Sequence, residues 1–387
     1  MNVQKLSSLI FFTAVILTLA ISGIALFVSP GRIYSENENR YLTTFKPPSV
    51  TAFLDTSMQK NITDGANDQF AGRDVWIKFA TGLQHAAGFQ DIGGVYLGKN
   101  GYYFERILDS DLSDKRYTDN LNYLEQFASS YSDIKTVFLP VPSKGELLKK
   151  ELPANAVLYS SDRLYAQAEN VLHQTSFFDI RPVLSASAEN RQLYFKTDHH
   201  WTMEAAYSAY QFWCSRHDFA SKPLMQFEPE CVSEKFYGTL YSKAPEFHTQ
   251  PDRLVLPDLL PQADITINGK KTDSIYDWNK LNSKDKYGVY FGGNFGRIDI
   301  KMNKKTMETE NSKKQDSKQT LLVIKDSFAN SFVPFLMEHY GRIIMLDFRY
   351  YNKPFSELIQ EIKPDEALIF YEMSNFAQDT DFFKILK

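Results

Sequence analysis

The sequence is poor in cysteine and in net positive charge, and each deficit excludes a class of function. Its 387 residues include two cysteines and carry a formal net charge of −4 at pH 7. Cys214 and Cys231 do not form a CxxC pair, so the sequence predicts no cysteine-based metal site and leaves their pairing open. Proteins that bind nucleic acid mainly by charge are basic, so we expect no nucleic-acid partner.

The chain also lacks a second long apolar run, because only residues 9–28 could cross a bilayer. The stretch LIFFTAVILTLAISGIALFV has no charged residue, and a helix of about 20 apolar residues spans a bilayer core. A cleaved signal peptide is the alternative, with Gly23 and Ala25 as a weak cleavage site. The run continues to Val28, which favours an uncleaved single-pass anchor at the cell membrane, with residues 1–8 in the cytoplasm and the remainder extracellular.

The rest of the chain predicts a short stalk followed by one large domain. Residues 29–50 are polar and contain three prolines, which indicates a stalk. Residues 51–387 form the predicted extracellular domain. Beyond about residue 90 the segment YLGKNGYYF predicts a hairpin, with Asn-Gly at the turn. Apolar strands such as KTVFLPVPSK then alternate with helices such as DRLYAQAENVLHQ, which predicts an α/β fold with a mostly parallel sheet.

An irregular region from Glu228 to Gln319 interrupts this alternation. Within it, KYGVYFGGNFGRIDIKM predicts a second hairpin. The charged run NKKTMETENSKKQDSK, residues 303–318, has no apolar periodicity, so it predicts a solvated loop at an edge of the domain.

One acid and two histidines occur together in TDHHWT, where Asp198 precedes His199 and His200. On an extended strand end, Asp198 and His200 would project to one side and His199 to the other. That geometry disfavours one shared metal ion, and the sequence has no HExxH motif or second ligand cluster. We therefore predict neither a metal nor a cofactor, and we expect Asp198 to orient His200 as a base while His199 is structural.

A serine lies where such a base would be useful, in TLLVIKDSFANSFVPFL. Ser327 follows an apolar strand and precedes a helix predicted to end at Gly341, with a kink at Pro334. Ligands of open α/β sheets bind at the carboxyl ends of strands, and helix N-termini favour negative charge. The alternative is that Asp326 and Ser327 only cap the helix. With a base and an orienting acid, the set Asp198, His200 and Ser327 would form a catalytic triad.

Several motifs together resemble a known family. TDHHWT, KDSFANSFVPFL and the stalk segment ENENRYL resemble the DHHW family of bacterial surface proteins. That family is similar to the alginate O-acetyltransferases of the permuted SGNH-hydrolase superfamily, and YLGKNGYYF, FLPVPSKGELL, FFDIRPVL and KPDEALIFYE follow in the expected order. The resemblance implies a permuted SGNH-hydrolase-like sheet flanked by helices, with Ser327 as nucleophile, His200 as base and Asp198 as the orienting acid.

The chain departs from that superfamily in two places. Lys325 stands where a glycine usually precedes the Asp-Ser pair, and no clean GxND block exists. We predict Gly293 and Asn294 as oxyanion-binding residues, with Asn375 as the alternative for the amide. The other reading of GGN is a simple hairpin turn. Tyr371 and Arg349, at predicted strand ends, are expected to line a sugar groove.

The resulting hypothesis is a membrane-anchored extracellular polysaccharide O-acetyltransferase that works through an acetyl-serine intermediate. The acceptor would be an exopolysaccharide or cell-wall polymer. The resemblance implies a multi-pass membrane acyltransferase that supplies the acetyl groups. Two alternatives stay open: a carbohydrate acetylesterase of the same fold, and a non-catalytic carbohydrate-binding subunit of an exopolysaccharide complex.

Overall fold

The computed structural model describes residues 3–28, 31–35, 37–38, 40–258, 260–303 and 319–387, which form two compact units. The first comprises Met1–Ile92 and Ser242–Thr249, and the second comprises Gly93–Tyr241 and Gln250–Lys387. The first unit thus extends to residue 92, whereas the sequence placed a boundary at residue 51. The charged run predicted as a loop lies outside the described residues, apart from Asn303.

The helices and strands of the described residues are as follows. The helices are α1 (Val3–Val28), α2 (Val50–Leu54), α3 (Ser57–Gln69), α4 (Arg73–Ala86), α5 (Asp114–Ser130), α6 (Lys144–Leu147), α7 (Ser161–Val171), α8 (Arg181–Ser187), α9 (Met203–Arg216), α10 (Thr239–Lys243), α11 (Ala329–Leu336), α12 (Phe355–Ile362) and α13 (Met373–Gln378). The strands are β1 (Tyr34–Ser35), β2 (Arg40–Tyr41), β3 (Asp91–Ile92), β4 (Val95–Leu97), β5 (Tyr103–Glu105), β6 (Lys135–Phe138), β7 (Ser176–Phe177), β8 (Pro229–Phe236), β9 (Asp252–Pro257), β10 (Ala263–Ile267), β11 (Lys270–Thr272), β12 (Arg297–Met302), β13 (Thr320–Lys325), β14 (Arg342–Leu346) and β15 (Glu366–Phe370).

The first unit contains the long apolar run as helix α1. Within the described part of the chain, this is the one helix long and apolar enough to cross a membrane. By length and composition it fits either a single-pass anchor or a signal sequence.

The segment predicted as a stalk is hydrogen-bonded to α3 in its described part. Arg40 pairs with Asp68 through Nη2 at 2.6 Å. Gln69 donates its Nε2 to the carbonyls of Arg32 and Thr43, both at 2.8 Å. These bonds make the segment part of the first unit instead of a free linker.

The second unit is built on an eight-stranded sheet in the order β11-β10-β12-β14-β13-β15-β6-β7. The five strands from β14 to β7 run parallel, and β12, β10 and β11 extend the sheet in antiparallel pairing. Parallel sheets are covered on both faces, which is why their strands are apolar throughout. The predicted α/β fold with a mostly parallel sheet is confirmed.

Strand β13 lies in the middle of this sheet and contributes to two hydrophobic clusters. Because successive side chains point to opposite faces, Leu321 and Val323 join the cluster that includes residues of α9 and α11. Leu322 and Ile324 join the cluster that includes residues of α5, α7 and α12. The end of β13 is therefore fixed by packing on both faces.

One predicted hairpin is confirmed and the other is wrong. β4 and β5 pair antiparallel, and Asn100 and Gly101 have the positive φ expected, 52° and 78°. The strand in KYGVYFGGNFGRIDIKM, β12, instead pairs with β10 and β14. The partner strands of β12 are distant from it in sequence, so no local sequence pattern could predict the pairing.

The helix after Ser327 is shorter than predicted. α11 ends at Leu336, five residues before Gly341. Pro334 lies inside it, and because proline has no N–H it removes one helical hydrogen bond and weakens the last turn.

Candidate active site

The TDHHWT segment runs through bends instead of the predicted strand end, and Asp252 at the start of β9 fixes its path. The Oδ1 of Asp252 accepts the N–H of Lys196 at 2.7 Å, and its Oδ2 accepts the N–H and hydroxyl of Thr197 at 2.8 and 2.7 Å. On the other side, Trp201 is fully buried and donates its Nε1 to Ser331 of α11 at 2.8 Å. The two attachments hold the intervening residues in one conformation.

Asp198, His200 and Ser327 form a continuous hydrogen-bonded relay. The Nδ1 of His200 lies 2.6 Å from Oδ1 of Asp198, and its Nε2 lies 2.7 Å from the hydroxyl of Ser327. The N–H of His200 also donates to the same Oδ1 at 2.9 Å. Asp198 and His200 are buried, whereas Ser327 is partly accessible. An aspartate on Nδ1 favours the tautomer in which Nε2 can accept the serine proton.

The second oxygen of Asp198 is held by Thr239, at the start of α10. The N–H and hydroxyl of Thr239 donate to Oδ2 at 2.7 and 3.0 Å. Gly238 precedes it, and a Cβ at that position would lie 2.2 Å from the Cβ of Asp198. A glycine is therefore required for the chain to approach the carboxylate this closely.

These contacts keep Asp198 ionised. Burial alone would raise its pKa, but its interactions with His199 and His200 and the hydrogen bonds from His200 and Thr239 hold the pKa well below its ordinary value. Burial lowers the pKa of His199 to about 4, so His199 is neutral near pH 7. The hydrogen bonds of His200 and Thr239 are then the main source of stabilisation.

The prediction that His199 faces away from His200 is wrong. Their ring centroids lie 3.9 Å apart at an interplanar angle of 36°, because the segment bends. Ligand atoms of Asp198, His199 and His200 lie within 4.8 Å of one another. Nevertheless, every one of these groups already has a partner, since His199 Nδ1 lies 2.7 Å from the hydroxyl of Thr239. A metal would have to break the relay, and we keep the prediction of no metal.

The ring of His200 has two close ring neighbours. Tyr287 stacks on it with centroids 3.8 Å apart and an interplanar angle of 11°, and the tilted ring of His199 lies 3.9 Å away. The hydroxyl of Tyr287 donates to Ser331 at 3.0 Å and to the carbonyl of Ser327 at 3.3 Å. Tyr287 therefore connects the base to the segment that carries the serine.

Ser327 lies between the carboxyl end of β13 and α11, as predicted, and its neighbour Asp326 fixes the turn. Asp326 Oδ1 accepts the N–H of Phe328 at 2.9 Å; Oδ2 accepts the N–H of Glu372 at 2.9 Å and Nδ2 of Asn375 at 2.7 Å. The carboxylate thus joins the ends of two strands, which is more than helix capping. In the described chain, the N–H of Ser327 has no hydrogen-bond acceptor, so it is available to a ligand.

Asn294 is held beside this turn by Lys325. Its Oδ1 accepts from Nζ of Lys325 at 2.9 Å and from Nδ2 of Asn330 at 3.2 Å. The N–H of Asn330 in turn donates to the carbonyl of Ser327 at 3.2 Å. Burial lowers the pKa of Lys325 to about 8. Gly293 has a φ of 119° and donates its N–H to Tyr290 at 3.1 Å, so that N–H is already used.

The two residues predicted to line a sugar groove lie in different environments. Tyr371 is 2% exposed and packs against Phe376 and Phe382 in the core. It cannot line an open groove, because its aromatic ring completes a hydrophobic cluster. Arg349 has a side chain 42% exposed and pairs with Asp347 at 2.6 Å, so it is accessible at the end of β14.

A small open pocket lies next to His199. Its lining includes apolar side chains and several groups that can hydrogen-bond. The lining residues are Glu105, Ile107, Ser143, Lys144, Gly145, Leu158, Tyr159, His199, Leu240, Phe328, Glu372, Ser374 and Asn375.

Two buried ionisable groups of this pocket have pKa values shifted to near pH 7. Burial lowers the pKa of Lys144 to about 7, and its Nζ donates to the carbonyls of Tyr103 and Lys196 at 2.7 and 3.2 Å. Burial raises the pKa of Glu372 to about 7, although Ser374 donates to it at 2.5 Å. Both groups can therefore change charge close to physiological pH.

Several residues of this site have no sequence signal that would have found them. Thr239, Gly238 and Tyr287 lie in the region read as irregular, and their contact with TDHHWT is tertiary. Lys325 was noted only as a departure from a glycine, yet its ammonium holds Asn294.

The two cysteines, whose pairing the sequence left open, form no disulfide. Cys214 and Cys231 are both free thiols.

Comparison with known proteins shows which class of domain this chain resembles. Residues 95–281, a little under half of the chain, match the family described as ALGX, SGNH hydrolase-like domain, acetyltransferase AlgX. The chain therefore has an SGNH-hydrolase-like fold that is similar to the AlgX acetyltransferase domain, and the resemblance predicted from the motifs is confirmed. The matched range includes Asp198 and His200 but ends before Ser327.

Two solved structures share the fold. A DHHW family protein from Eubacterium siraeum has a TM-score of 0.62 and 19% identity, over 76% of this chain and 95% of that chain. PatB1 of Bacillus cereus, solved with a sulfonyl adduct, has a TM-score of 0.58 and 20% identity, over 75% of this chain and 99% of that chain. Among curated proteins, none matches this sequence significantly.

Proposed function

We propose that this chain is an extracellular polysaccharide O-acetyltransferase that uses Ser327, His200 and Asp198. The observation that carries the proposal is the unbroken relay from Asp198 through His200 to Ser327, at 2.6 and 2.7 Å. The AlgX-type domain makes acetyl transfer the reaction we favour.

In the first half-reaction Ser327 would become acetylated. His200 Nε2 takes the hydroxyl proton as the serine oxygen attacks the acetyl carbonyl carbon of a donor ester. The tetrahedral intermediate collapses when the donor oxygen leaves with the proton from His200. In the second half-reaction a sugar hydroxyl loses its proton to His200 and attacks the acetyl carbonyl carbon. The bond to the Ser327 oxygen then breaks, and that oxygen takes the proton back from His200 as the acetylated sugar is released. Asp198 keeps its negative charge throughout and stabilises the imidazolium.

The oxyanion would be bound by the N–H of Ser327 and the amide of Asn294. The first has no acceptor among the described residues, and the second has its oxygen fixed by Lys325 and Asn330, so its NH₂ is left for a ligand. Such preorganised donors contribute most when they face the developing charge. Gly293 would shape the turn, because its own N–H is bonded to Tyr290.

The pocket beside His199 would receive the acceptor sugar. A pyranose presents both C–H faces and hydroxyl groups, and the pocket combines Leu158 and Phe328 with Lys144, Glu372 and Asn375. Arg349 at the end of β14 is a further substrate contact in this proposal, whereas Tyr371 is not.

The polymer acceptor implies a location outside the cell, with α1 as the single-pass anchor. Acetyl-CoA is absent there, so the donor ester must be delivered through the membrane. We propose a multi-pass acyltransferase as the supplier, as the family resemblance implies.

Hydrolysis of 4-nitrophenyl acetate by the full chain tests the nucleophile. We expect Ser327→Ala to lose at least about 10³-fold in rate. Ser129→Ala, an exposed serine of α5, should be unaffected. If Ser327→Ala releases nitrophenol as fast as wild type, Ser327 is not the nucleophile, and a non-catalytic carbohydrate-binding role becomes the better reading.

Mass spectrometry of an added oligosaccharide separates transfer from hydrolysis. A transferase acetylates the oligosaccharide as 4-nitrophenyl acetate is consumed, and acetate release falls in proportion. If only acetate accumulates at saturating oligosaccharide, the protein is an acetylesterase of the same fold.

A further inference from the structure

Helix α4 presents an apolar face that is more than half exposed, and the 246–248 segment of the same unit borders it at Phe79 and Leu83. Val75, Trp76, Phe79 and Leu83 have exposures of 57%, 52%, 55% and 60%, and their spacing places them on one side of the helix. We call these four residues the α4 apolar face. The other exposed positions of the helix are Ala80, Gln84 and Ala86, so the exposed side carries no charge.

The exposure is concentrated in the first unit and is not a general property of the surface. Outside α1, the described residues of the first unit expose 13 large hydrophobic side chains, against five in the much longer second unit. Single exposed apolar residues are common, but a contiguous group marks a surface that binds another apolar phase.

The start of α4 is bonded to the chain that leaves α1. Arg32 pairs with Asp74 at 3.0 Å, and its N–H donates to Gln69 at 2.8 Å. Arg32 lies four residues after Val28, the last residue of α1, and four residues reach at most about 14 Å. The surroundings of the C-terminal end of α1 are therefore close to Asp74. They are also close to Val75 and Trp76, the next two residues in the sequence.

The charged groups near α4 are already paired. Arg73 donates its Nη2 to Glu38 at 3.0 Å, and Asp74 accepts from Asn37 at 2.8 Å as well as from Arg32. Attraction to anionic headgroups is therefore not required, and burial of apolar area supplies the driving force. Tryptophan is also the residue most typical of the membrane–water interface.

We propose that the α4 apolar face lies in the boundary between headgroups and acyl chains of the membrane that holds α1. The inference rests on α1 being retained as an anchor, and it is independent of the chemistry at Ser327. The bilayer is favoured over a protein partner because the hydrogen bonds of Arg32 bring α4 to the point where α1 leaves the bilayer.

Quenching by brominated phosphatidylcholine tests this in full-length protein reconstituted into nanodiscs without other proteins. Bromine on the acyl chains quenches only tryptophans at that depth. Trp201 and Trp213 are buried, and Trp278 is 46% exposed in the second unit, which makes Trp278→Phe the matched control. We expect Trp76→Phe to lose most of the lipid-dependent quenching and Trp278→Phe to keep it. High salt should leave the quenching unchanged.

Two outcomes would overturn the proposal. Equal quenching in wild type and Trp76→Phe would show that Trp76 is outside the lipid, and a protein would then be the better occupant. A chain mass showing cleavage before residue 31 would remove the anchor on which the inference depends. Hydrolysis of 4-nitrophenyl acetate in the same nanodiscs reports separately on Ser327, because Trp76 is not part of the candidate active site.

Discussion

Asp198 and Glu372 are two buried carboxyls of the same unit, and the structure shifts their pKa values in opposite directions. Asp198 receives four hydrogen bonds and lies against His200, so its pKa is held well below the ordinary value in spite of burial. For Glu372, burial outweighs the bonds from Ser374 and Asn375, and its pKa rises to about 7. The nearby charge of Asp326 raises it further.

The difference shows that burial alone does not decide the charge of a carboxyl group. Both carboxyls accept hydrogen bonds at both oxygens, since Tyr159 donates to Oε1 of Glu372 at 3.3 Å, so the potential cation beside Asp198 is what distinguishes the two. Asp198 is thus suited to hold a constant negative charge behind a base, whereas Glu372 is suited to gain or lose a proton.

The largest expected effect comes from replacing Asp198 with its neutral isostere, and the same change at Glu372 serves as the comparison. Asp198→Asn would replace one acceptor by a donor that faces the N–H groups of His200 and Thr239, and would favour the wrong tautomer of His200. We expect 4-nitrophenyl acetate hydrolysis to fall about 10⁴-fold, as for the same change in other triads. Glu372→Gln should cost less than about tenfold, since the hydrogen bonds described for Glu372 go to Tyr159, Asp326, Ser374 and Asn375 and not to the relay.

Both variants keep the size of the side chain, so steady-state rates at pH 7.5 compare them directly. If the two variants lose activity equally, the proposed difference in role between Asp198 and Glu372 is wrong, because activity would then depend on buried charge in general.

Gly238→Ala would test how closely the chain must approach Asp198. The added Cβ would lie 2.2 Å from the Cβ of Asp198 and 2.4 Å from its Oδ2, so the carboxylate or the Gly238–Thr239 segment must move. A displacement near 1 Å costs about 10²-fold in rate, and we expect at least that loss.

Gly82→Ala is a suitable control, since a Cβ there meets nothing within 4 Å. Unchanged hydrolysis in Gly238→Ala would mean that Asp198 tolerates displacement and is not a precise orienting group.

Local signals in the sequence were sufficient for the parallel strands and for Ser327, but not for the surroundings of His200. Strand β13 is a continuous apolar run that ends at Asp326-Ser327, so both its burial and the strand-to-helix junction could be predicted. The positions of Thr239, Tyr287 and β12 depend on contacts between residues far apart in sequence. Tyr371 was misjudged for the same reason, because a strand end can face the core as well as a groove.

The raised pKa of Glu372 predicts a pH dependence of stability. Between its ordinary pKa of 4.5 and the folded value of about 7, the folded state keeps a proton that the unfolded state releases. This stabilisation is present below pH 4.5 and is lost as pH rises to about 7, by roughly 3 kcal/mol. Thermal unfolding of the full chain in detergent from pH 5 to 7 measures it.

Glu372→Gln should have a flatter Tm profile than wild type over that range, while Glu169→Gln, an exposed change on α7, should keep the wild-type slope. Above pH 7 the lowered pKa of Lys144 acts in the opposite direction, since the unfolded state then binds the extra proton and stability rises with pH. A wild-type slope in Glu372→Gln would assign the pH dependence to another group.

The smallest expected effect comes from Thr239, which supports Asp198 from outside the triad. Thr239→Val removes the hydroxyl, and with it both the 3.0 Å bond to Oδ2 and the 2.7 Å contact with Nδ1 of His199, but it keeps the backbone N–H at 2.7 Å. One hydrogen bond to a charged group is worth about 1.5–3 kcal/mol at most, and the remaining donors limit the loss to about tenfold in kcat. The pKa of Asp198 should rise in this variant, because a less stabilised carboxylate binds a proton more readily. Thr239→Ser restores the hydroxyl and should recover the wild-type profile. If Thr239→Val and Thr239→Ser were equally impaired, the methyl packing of Thr239, and not its bond to Asp198, would support the relay.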